Sequence, residues 1–373
     1  MSSLSFGSSS SPVGLDIGTD HVRAVQLRSA GAGFALTGYG TVEVPMGAVV
    51  EGEIVDVDAV SSVIREVWRR SGVRGKDASI GVANQKVIVR LIDLPFMEHT
   101  ELAGAIQYQA QDYIPMAIEE SILDFQIIGD YMTPSDEHMM EVLLVAAHRD
   151  MIGSAVAAVE GAGLRLSQID VSSFAIVRAL MGSSEMSDLD ESGFATGIVH
   201  ISSGITNIAV VEKGVPRFNR ISSLAGNQFT QAIANVLNLT FDEAERLKIS
   251  IGLPDIDAGA SQPSFDVDPA VASVVQESLE REVNKFIAEV RRSLDYYLTQ
   301  TSQVRTIQRI LLTGSGAQLR NLTGYLEKGL QAQVVIADPL GRVQVPANLQ
   351  QAVLADRMGS VTAIGLAMGG IDQ

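Results

Sequence analysis

One pattern, met twice, constrains this chain more than any other feature. The segments VGLDIGTDHVRAVQL (13–27) and GIVHISSGITNIAVV (197–211) each read as a buried strand, a turn of small residues and a returning strand. Setting Asp16 beside His200 aligns the two in pattern more than in identity. Such a recurrence predicts two structurally related halves. The length of 373 residues agrees, being more than one compact core organises.

Turns of this kind let backbone N–H groups approach phosphate oxygens, because glycine brings no Cβ into the gap. Gly18 and Thr19 supply that approach in the first hairpin. Asp16 is placed to hold a water in the shell of a magnesium ion, which prefers oxygen ligands and keeps several waters. The second turn offers the N–H and hydroxyl donors of Ser202, Ser203, Gly204 and Thr206. An ordinary β-hairpin with convenient turn residues accounts for either taken singly. The pair in repeated context favours nucleotide binding. GxxxxGK[ST] does not occur, and GSGAQL (314–319) lacks the third glycine of a dinucleotide fingerprint.

The rest of the chain divides around the two hairpins. Residues 1–11 are a Ser-rich lead-in, read as disordered. A first lobe spans 12–86 and is completed by 166–190 and 341–373. Between its parts, 87–165 alternates strands and helices as an inserted α+β subdomain. A second lobe covers 194–340, with an outer helical part at 220–304. Helices are expected at 57–71, 100–114, 150–161, 173–181, 227–236, 241–249, 269–299, 317–330 and 358–368, the first from the apolar spacing of Val60, Val63, Ile64 and Val67. Polar stretches at 182–193 and 254–268 read as linker and loop.

Composition narrows the function. Lys plus Arg is 27 against 44 Asp plus Glu, a formal charge of −17. So acidic a surface repels nucleic acid and anionic lipid. The absence of cysteine excludes disulfides, thiolate metal sites and cysteine nucleophiles. No apolar run reaches the roughly 18 residues a spanning helix needs, and the start has no secretory leader pattern. The expectation is a cytoplasmic protein without direct membrane insertion.

The order of motifs resembles the superfamily of actin, heat-shock chaperone ATPases and sugar kinases: DIGTDHVRAV, the hairpin at 198–210, AERLK (244–248) and LLTGSGAQLRNL (311–322). LIDLPFMEHTELAGAIQYQAQDYIPMAIEESILDFQIIG (91–129), GNQFTQAIA (226–234), FDEAERLK (241–248) and TAIGLAMGG (362–370) are more closely similar to the PilM family, actin-like proteins of type IV pilus assembly. The resemblance covers roughly 12–370. It implies a duplicated, ribonuclease H-like α/β fold with ATP or ADP, and magnesium, in the cleft between lobes. Residue by residue, it places Asp16, Gly18 and Thr19 at the first phosphate turn and Ser202, Ser203, Gly204 and Thr206 at the second. It puts Gly226 and Asn227 at the start of a helix facing the phosphates. Glu245 and Lys248 fall against ribose and base, and Gly314, Ser315 and Gly316 beside the adenosine. An i,i+3 ion pair accounts for Glu245 and Lys248 equally well without the family context.

The resemblance also implies partners. The groove beside 87–165 is expected to hold the cytoplasmic N-terminal peptide of a PilN-like membrane protein, recruiting the chain to the inner face of the membrane. Other pilus platform proteins and self-association are further expectations. Gln107 and Gln111 are the positions from which a photo-crosslinker is expected to trap that partner. The second turn departs from the family, reading His200-Ile201-Ser202 where Asp-Ile-Gly is usual. The strand-to-helix connection that tends to carry the hydrolytic acid or amide reads Asp170-Val171-Ser172-Ser173. Both departures argue for weak or absent turnover. The competing readings are an FtsA-like filament former, whose basic amphipathic tail is not matched by IGLAMGGIDQ, and a small-molecule kinase, which needs a catalytic carboxylate and an acceptor pocket.

Overall fold

The computed structural model describes residues 11–181, 194–256, 267–300 and 306–371. The lead-in (save Ser11), the 182–193 linker and most of the 254–268 loop therefore lie outside the described residues.

The chain opens with three antiparallel strands, β1 (Val13–Ile17), β2 (His21–Ala30) and β3 (Gly33–Glu43). A small hairpin, β4 (Val49–Val50) and β5 (Glu53–Ile54), leads to α1 (Val57–Ser71) and β6 (Asp77–Val82). Helix α1 starts where the Asp56 carboxylate accepts from the Ala59 N–H, and it stops at Gly72, whose φ of 71° suits a residue without a Cβ. Then come β7 (Val87–Pro95), α2 (His99–Gln109), β8 (Ser121–Met132), β9 (His138–His148), α3 (Arg149–Gly161), β10 (Arg165–Val171) and α4 (Ser172–Met181). Glu98 precedes α2 without a side-chain cap, and Thr100 lies inside its first turn.

The second lobe repeats the opening with β11 (Phe194–Ile201), β12 (Thr206–Glu212) and β13 (Val215–Ser222). Helices α5 (Gly226–Leu237), α6 (Phe241–Ile251) and α7 (Pro269–Gln300) follow, then β14 (Thr306–Thr313), α8 (Leu322–Leu330) and β15 (Gln333–Ile336). A capping box between Thr240 and Glu243 fixes the start of α6. The chain returns to the first lobe through β16 (Val343–Gln344), α9 (Ala347–Ala355) and α10 (Val361–Gly369).

The two main sheets run β10-β6-β1-β2-β3-β16 and β13-β12-β11-β14-β15. Read from the third strand, β3-β2-β1-β6-β10 and β13-β12-β11-β14-β15 are the same arrangement: two antiparallel pairings, then two parallel ones. The duplication predicted from the hairpins thus extends over five strands of each lobe.

Helices α4 and α10 lie between the sheets. Ile176 and Val177 of α4 and Ile364, Ala367 and Met368 of α10 share one apolar cluster with Val25 and Leu27 of the first sheet and Ile198 and Ala209 of the second. The approach is close enough to demand small residues. A Cβ on Gly365 would sit 1.8 Å from the Ala175 carbonyl oxygen, and one on Gly14 would sit 2.1 Å from that of Ala363.

The inserted unit is a three-stranded sheet, β7-β9-β8, whose own core joins Ile92, Leu94, Leu102, Ile106, Met140 and Val142 among others. The sequence pattern alone extends this unit to residue 165. Helix α3 instead packs on the first lobe, where Ala155, Ala158 and Val159 join Val60, Val63 and Val67. The reason is the small-residue face of α3, which fits against α1 closely enough for the Ser61 hydroxyl to donate to the Ala158 carbonyl at 3.0 Å.

Candidate functional site

The two repeated hairpins point their turns at each other across the cleft. Within the first, Asp16 and Arg23 stand directly opposite on β1 and β2, so their side chains share a face. Within the second, His200 and Asn207 occupy the same two positions on β11 and β12. All four line one small cavity together with Gly18, Thr19, Asp20, Ser172, Ser202 and Ser315.

Arg23 is the electrostatic centre of this cavity, and its side chain is only 6% exposed. Its Nε donates to Asp356 at 2.7 Å and its Nη2 at 3.1 Å, a bidentate pair that fixes the guanidinium plane. The Tyr39 hydroxyl donates to the same carboxylate at 2.6 Å. Nη1 lies 3.8 Å from Asp20. Burial pushes the Asp16 carboxyl up to about 6, with Arg23 pulling the other way and Asp20 and Asp356 adding to the rise. Burial would likewise raise Asp20. The His21 ring 3.2 Å away, the Arg23 charge and the Ser203 side chain outweigh it and hold Asp20 well below the usual carboxylate range. Burial, with Arg23 adding to it, drives His200 down to about 4, so its ring is neutral at pH 7.

The turns touch. The position a Cβ would take on Gly204 is 2.2 Å from Thr19 Oγ1, so the Thr19 side chain rests in the space that glycine leaves open. The cavity measures about 50 Å³, room for a few waters but not for a triphosphate. Much of the second turn's hydrogen bonding is internal. Ser202 N–H donates to the Ile205 carbonyl at 3.0 Å, and the N–H groups of Gly226 and Asn227 donate to the carbonyls of Ser202 and Ser203 at 3.0 and 2.8 Å. The start of α5 thus braces the turn rather than presenting these two N–H groups to the cleft.

The remaining expected residues divide. Thr206 is fully buried and its hydroxyl donates to the Leu224 carbonyl at 2.7 Å, away from the cleft. Glu245 and Lys248 pair at 2.7 Å, and Lys248 Nζ donates to Thr230 Oγ1 at 2.8 Å and to the Gly226 carbonyl at 3.3 Å. They tie α6 to the first turn of α5. Ser315 reaches the cavity, while Gly314 and Gly316 pack on Ile201, where a Cβ would come within 2.3 and 2.5 Å. Asp170 is held by Arg178 at 2.9 Å and by the Val171 N–H at 2.8 Å; Ser172, not Asp170, lines the cavity.

Arg23, Asp20, Asn207 and Asp356 are absent from the sequence-derived set. A four-residue turn puts i and i+7 opposite each other on a hairpin, so Arg23 and Asn207 were within reach of the register. Asp356 comes from the far end of the chain, and no local pattern marks it.

A family model for the type IV pilus assembly protein PilM matches residues 14–371. The chain belongs to the PilM family. Its fold is similar to the solved structure of a PilM–PilN type IV pilus biogenesis complex, with a TM-score of 0.79 and 24% identity over 97% of this chain and 99% of that one. MreB5 of Spiroplasma citri bound to AMPPNP aligns with a TM-score of 0.54 and 13% identity, over 97% and 96% of the two chains. Among curated relatives, the cell division protein FtsA of Enterococcus hirae is 22% identical over 356 residues, 88% of this chain and 79% of that protein. Membership in the family makes this a pilus-assembly protein of actin-like fold. Among the described residues no helix is long and apolar enough to cross a membrane.

A second concavity, of about 1300 Å³, lies between the inserted unit and the second lobe. Strand β7 (through Val87–Leu91) and strand β13 (through Arg217–Ser222) face it, and both are edge strands of their sheets. Tyr296 and Tyr297 of α7 form part of its wall, and the Arg217–Glu141 ion pair joins its two sides. Arg217 Nε and Asn219 Oδ1 are buried without a hydrogen-bond partner. Gln107 and Gln111 are exposed and do not line it.

Proposed function

We propose that this chain is a nucleotide-binding scaffold of the type IV pilus assembly platform, held at the membrane by the cytoplasmic tail of a PilN-like partner. The observation that carries the nucleotide half is the doubled sheet, which aims two equivalent turns and the buried Arg23 at one cleft. The unpartnered, buried Asn207 Oδ1 on the same wall is consistent with a ligand there. Binding requires the lobes to part, since the turns touch in the closed form. With them parted, Arg23 and the first-turn backbone would take the phosphates of ATP or ADP, and Asp16 would hold a water of its magnesium ion. Ser202 and Ser315 face the same space from the second lobe. The ligand's chemistry is charge: a triphosphate with its cation. The protein's part is to bind and orient it and to exclude water.

The neutral His200 occupies the second-turn position where the family usually has an aspartate. No carboxylate of that turn orients an attacking water, so the role is binding with weak or absent turnover.

For the partner, the groove between β7 and β13 is the receptacle this reading favours. Free strand edges pair with an extended peptide, and aromatic walls take its side chains. A tail that is disordered when free loses entropy on binding, so micromolar affinity is expected. The solved family complex with PilN supports the partner class.

Titration calorimetry with ATP and ADP, with and without Mg²⁺, tests the cleft. No heat and no nucleotide released from denatured protein would end this reading. For the partner, a photo-reactive residue at Arg90 or Tyr296 is expected to trap a small membrane-anchored protein in cells. Traps arising only at Gln107 or Gln111 would move the tail to the α2 face, and none from either set would remove the inserted unit from the contact.

A further inference from the structure

Asp20 is the residue at which the two equivalent turns differ most in charge, its counterpart in the second hairpin being Gly204. Its carboxylate folds back over the first turn. Oδ1 lies 3.5 Å from the position of a Cβ on Gly18 and 3.8 Å from Arg23 Nη1, and Oδ2 lies 3.2 Å from His21 Nδ1. The Ser203 side chain, on the opposing lobe, stands beside the same carboxylate and helps to keep it ionised. An anion therefore already stands on the glycine of the first turn, beside its guanidinium, and reaches across the cleft. One residue earlier, Thr19 fills the space left by Gly204.

We propose that Asp20 is a built-in anionic plug of the first phosphate turn, which latches the empty cleft shut and must be displaced before a phosphate can occupy it. The inference rests on the nucleotide-binding reading and adds the residue that sets its affinity. A phosphate oxygen and the Asp20 carboxylate compete for Arg23 and for the open face of Gly18. Two anions at that one guanidinium repel, so Asp20 lowers nucleotide affinity and ties phosphate entry to lobe separation. Charge rather than bulk does this, which makes Asp20→Asn the informative change.

Two measurements decide it. Calorimetry with ATP and Mg²⁺ on the full chain should show Asp20→Asn binding at least tenfold more tightly than the parent, with Asp20→Ser behaving alike. Equal affinity, or weaker binding that would mark Asp20 as a cation-holding group, overturns the plug. If neither parent nor variant binds nucleotide, the reading beneath it has failed instead. The latch is read without any nucleotide. The chain has no cysteine, so Val50→Cys on the first lobe and Ile249→Cys on the second, both exposed, can each carry a single spin label. The ligand-free parent should give one short distance, and Asp20→Asn a longer or broader one. An unchanged distribution refutes the latch even where affinity rises.

Discussion

Replacing Arg23 by Met removes the cation at the centre of the cleft and leaves nearly the same bulk. In the structure that guanidinium makes a bidentate pair with Asp356 at 2.7 and 3.1 Å and is 6% exposed, while Asp356 is 21% exposed. Without it the Asp356 carboxylate keeps, among the described residues, the Tyr39 hydroxyl at 2.6 Å. Asp16, already raised by burial, loses the one charge that eases its ionisation. Breaking a buried pair by removing one partner costs about 3–5 kcal/mol, because the other charge is left uncompensated. The lower end is expected here, since Asp356 keeps some solvent. Equilibrium urea unfolding followed by fluorescence and by circular dichroism reads the loss. The control is Arg23→Met with Asp356→Asn, which removes the orphaned charge and should recover at least half of the loss. A single-variant loss below about 1 kcal/mol, as for a surface pair, would refute the reasoning. So would a double variant less stable than Arg23→Met alone.

The Asp16 carboxyl, raised to about 6 from 3.8, binds more protons folded than unfolded between those values. Stability from this group therefore falls as pH rises from about 4 to 6 and is level above, by roughly 3 kcal/mol in all. Asp16→Asn should flatten that part of the stability curve, and a curve of unchanged slope would exclude Asp16 as its source. Gly365→Ala should lower the thermal midpoint by the equivalent of about 1–3 kcal/mol, since its Cβ would meet the Ala175 carbonyl at 1.8 Å; an unchanged midpoint would show that α4 and α10 slide freely. Changing His200→Asp with Ser202→Gly restores the usual second turn. Phosphate release is expected to rise in that variant with nucleotide binding retained, whereas many turnovers per minute from the parent alone would contradict weak catalysis.

How far the sequence carried the fold depended on how local each signal was. The hairpins at 13–27 and 197–211 were legible because alternation, turn glycine and recurrence all agreed. Their third strands were not. GFALTGYGTVE carries three glycines and VPRFNRIS carries a proline and two arginines, compositions that argue against a strand until a neighbouring strand supplies hydrogen-bond partners. The short strands β15 and β16 are likewise defined by the sheets they join. At the site, Asp16, Gly18, Thr19 and Ser202, legible from residue type and turn context, lie on the cavity wall, as does Ser315, which the family resemblance pointed to. The same reasoning misplaced Thr206, because a threonine one strand position beyond the turn points to the core and not to the cleft. The Arg23–Asp356 pair joins positions 333 residues apart, and only the return of α9 to the first lobe creates it.

The asymmetry of the two repeats has a physical reason in the same cluster. Three carboxylates, Asp16, Asp20 and Asp356, already surround the single Arg23 guanidinium. The first-lobe pair is charged, Asp16 against Arg23, and its second-lobe equivalent is His200 against Asn207. An aspartate at 200 would bring a fourth carboxylate into a buried space whose cation is already outnumbered, and desolvation would force one of the group to take a proton. A histidine there avoids the cost. Burial and the nearby guanidinium keep its ring neutral, down to about 4, so it adds no charge in either direction at pH 7. With the two turns in contact, this arrangement is the more stable one. The neutral second turn therefore suits a cleft whose turns lie in contact, the arrangement in which an anion supplied by the chain itself, Asp20, stands over the first turn.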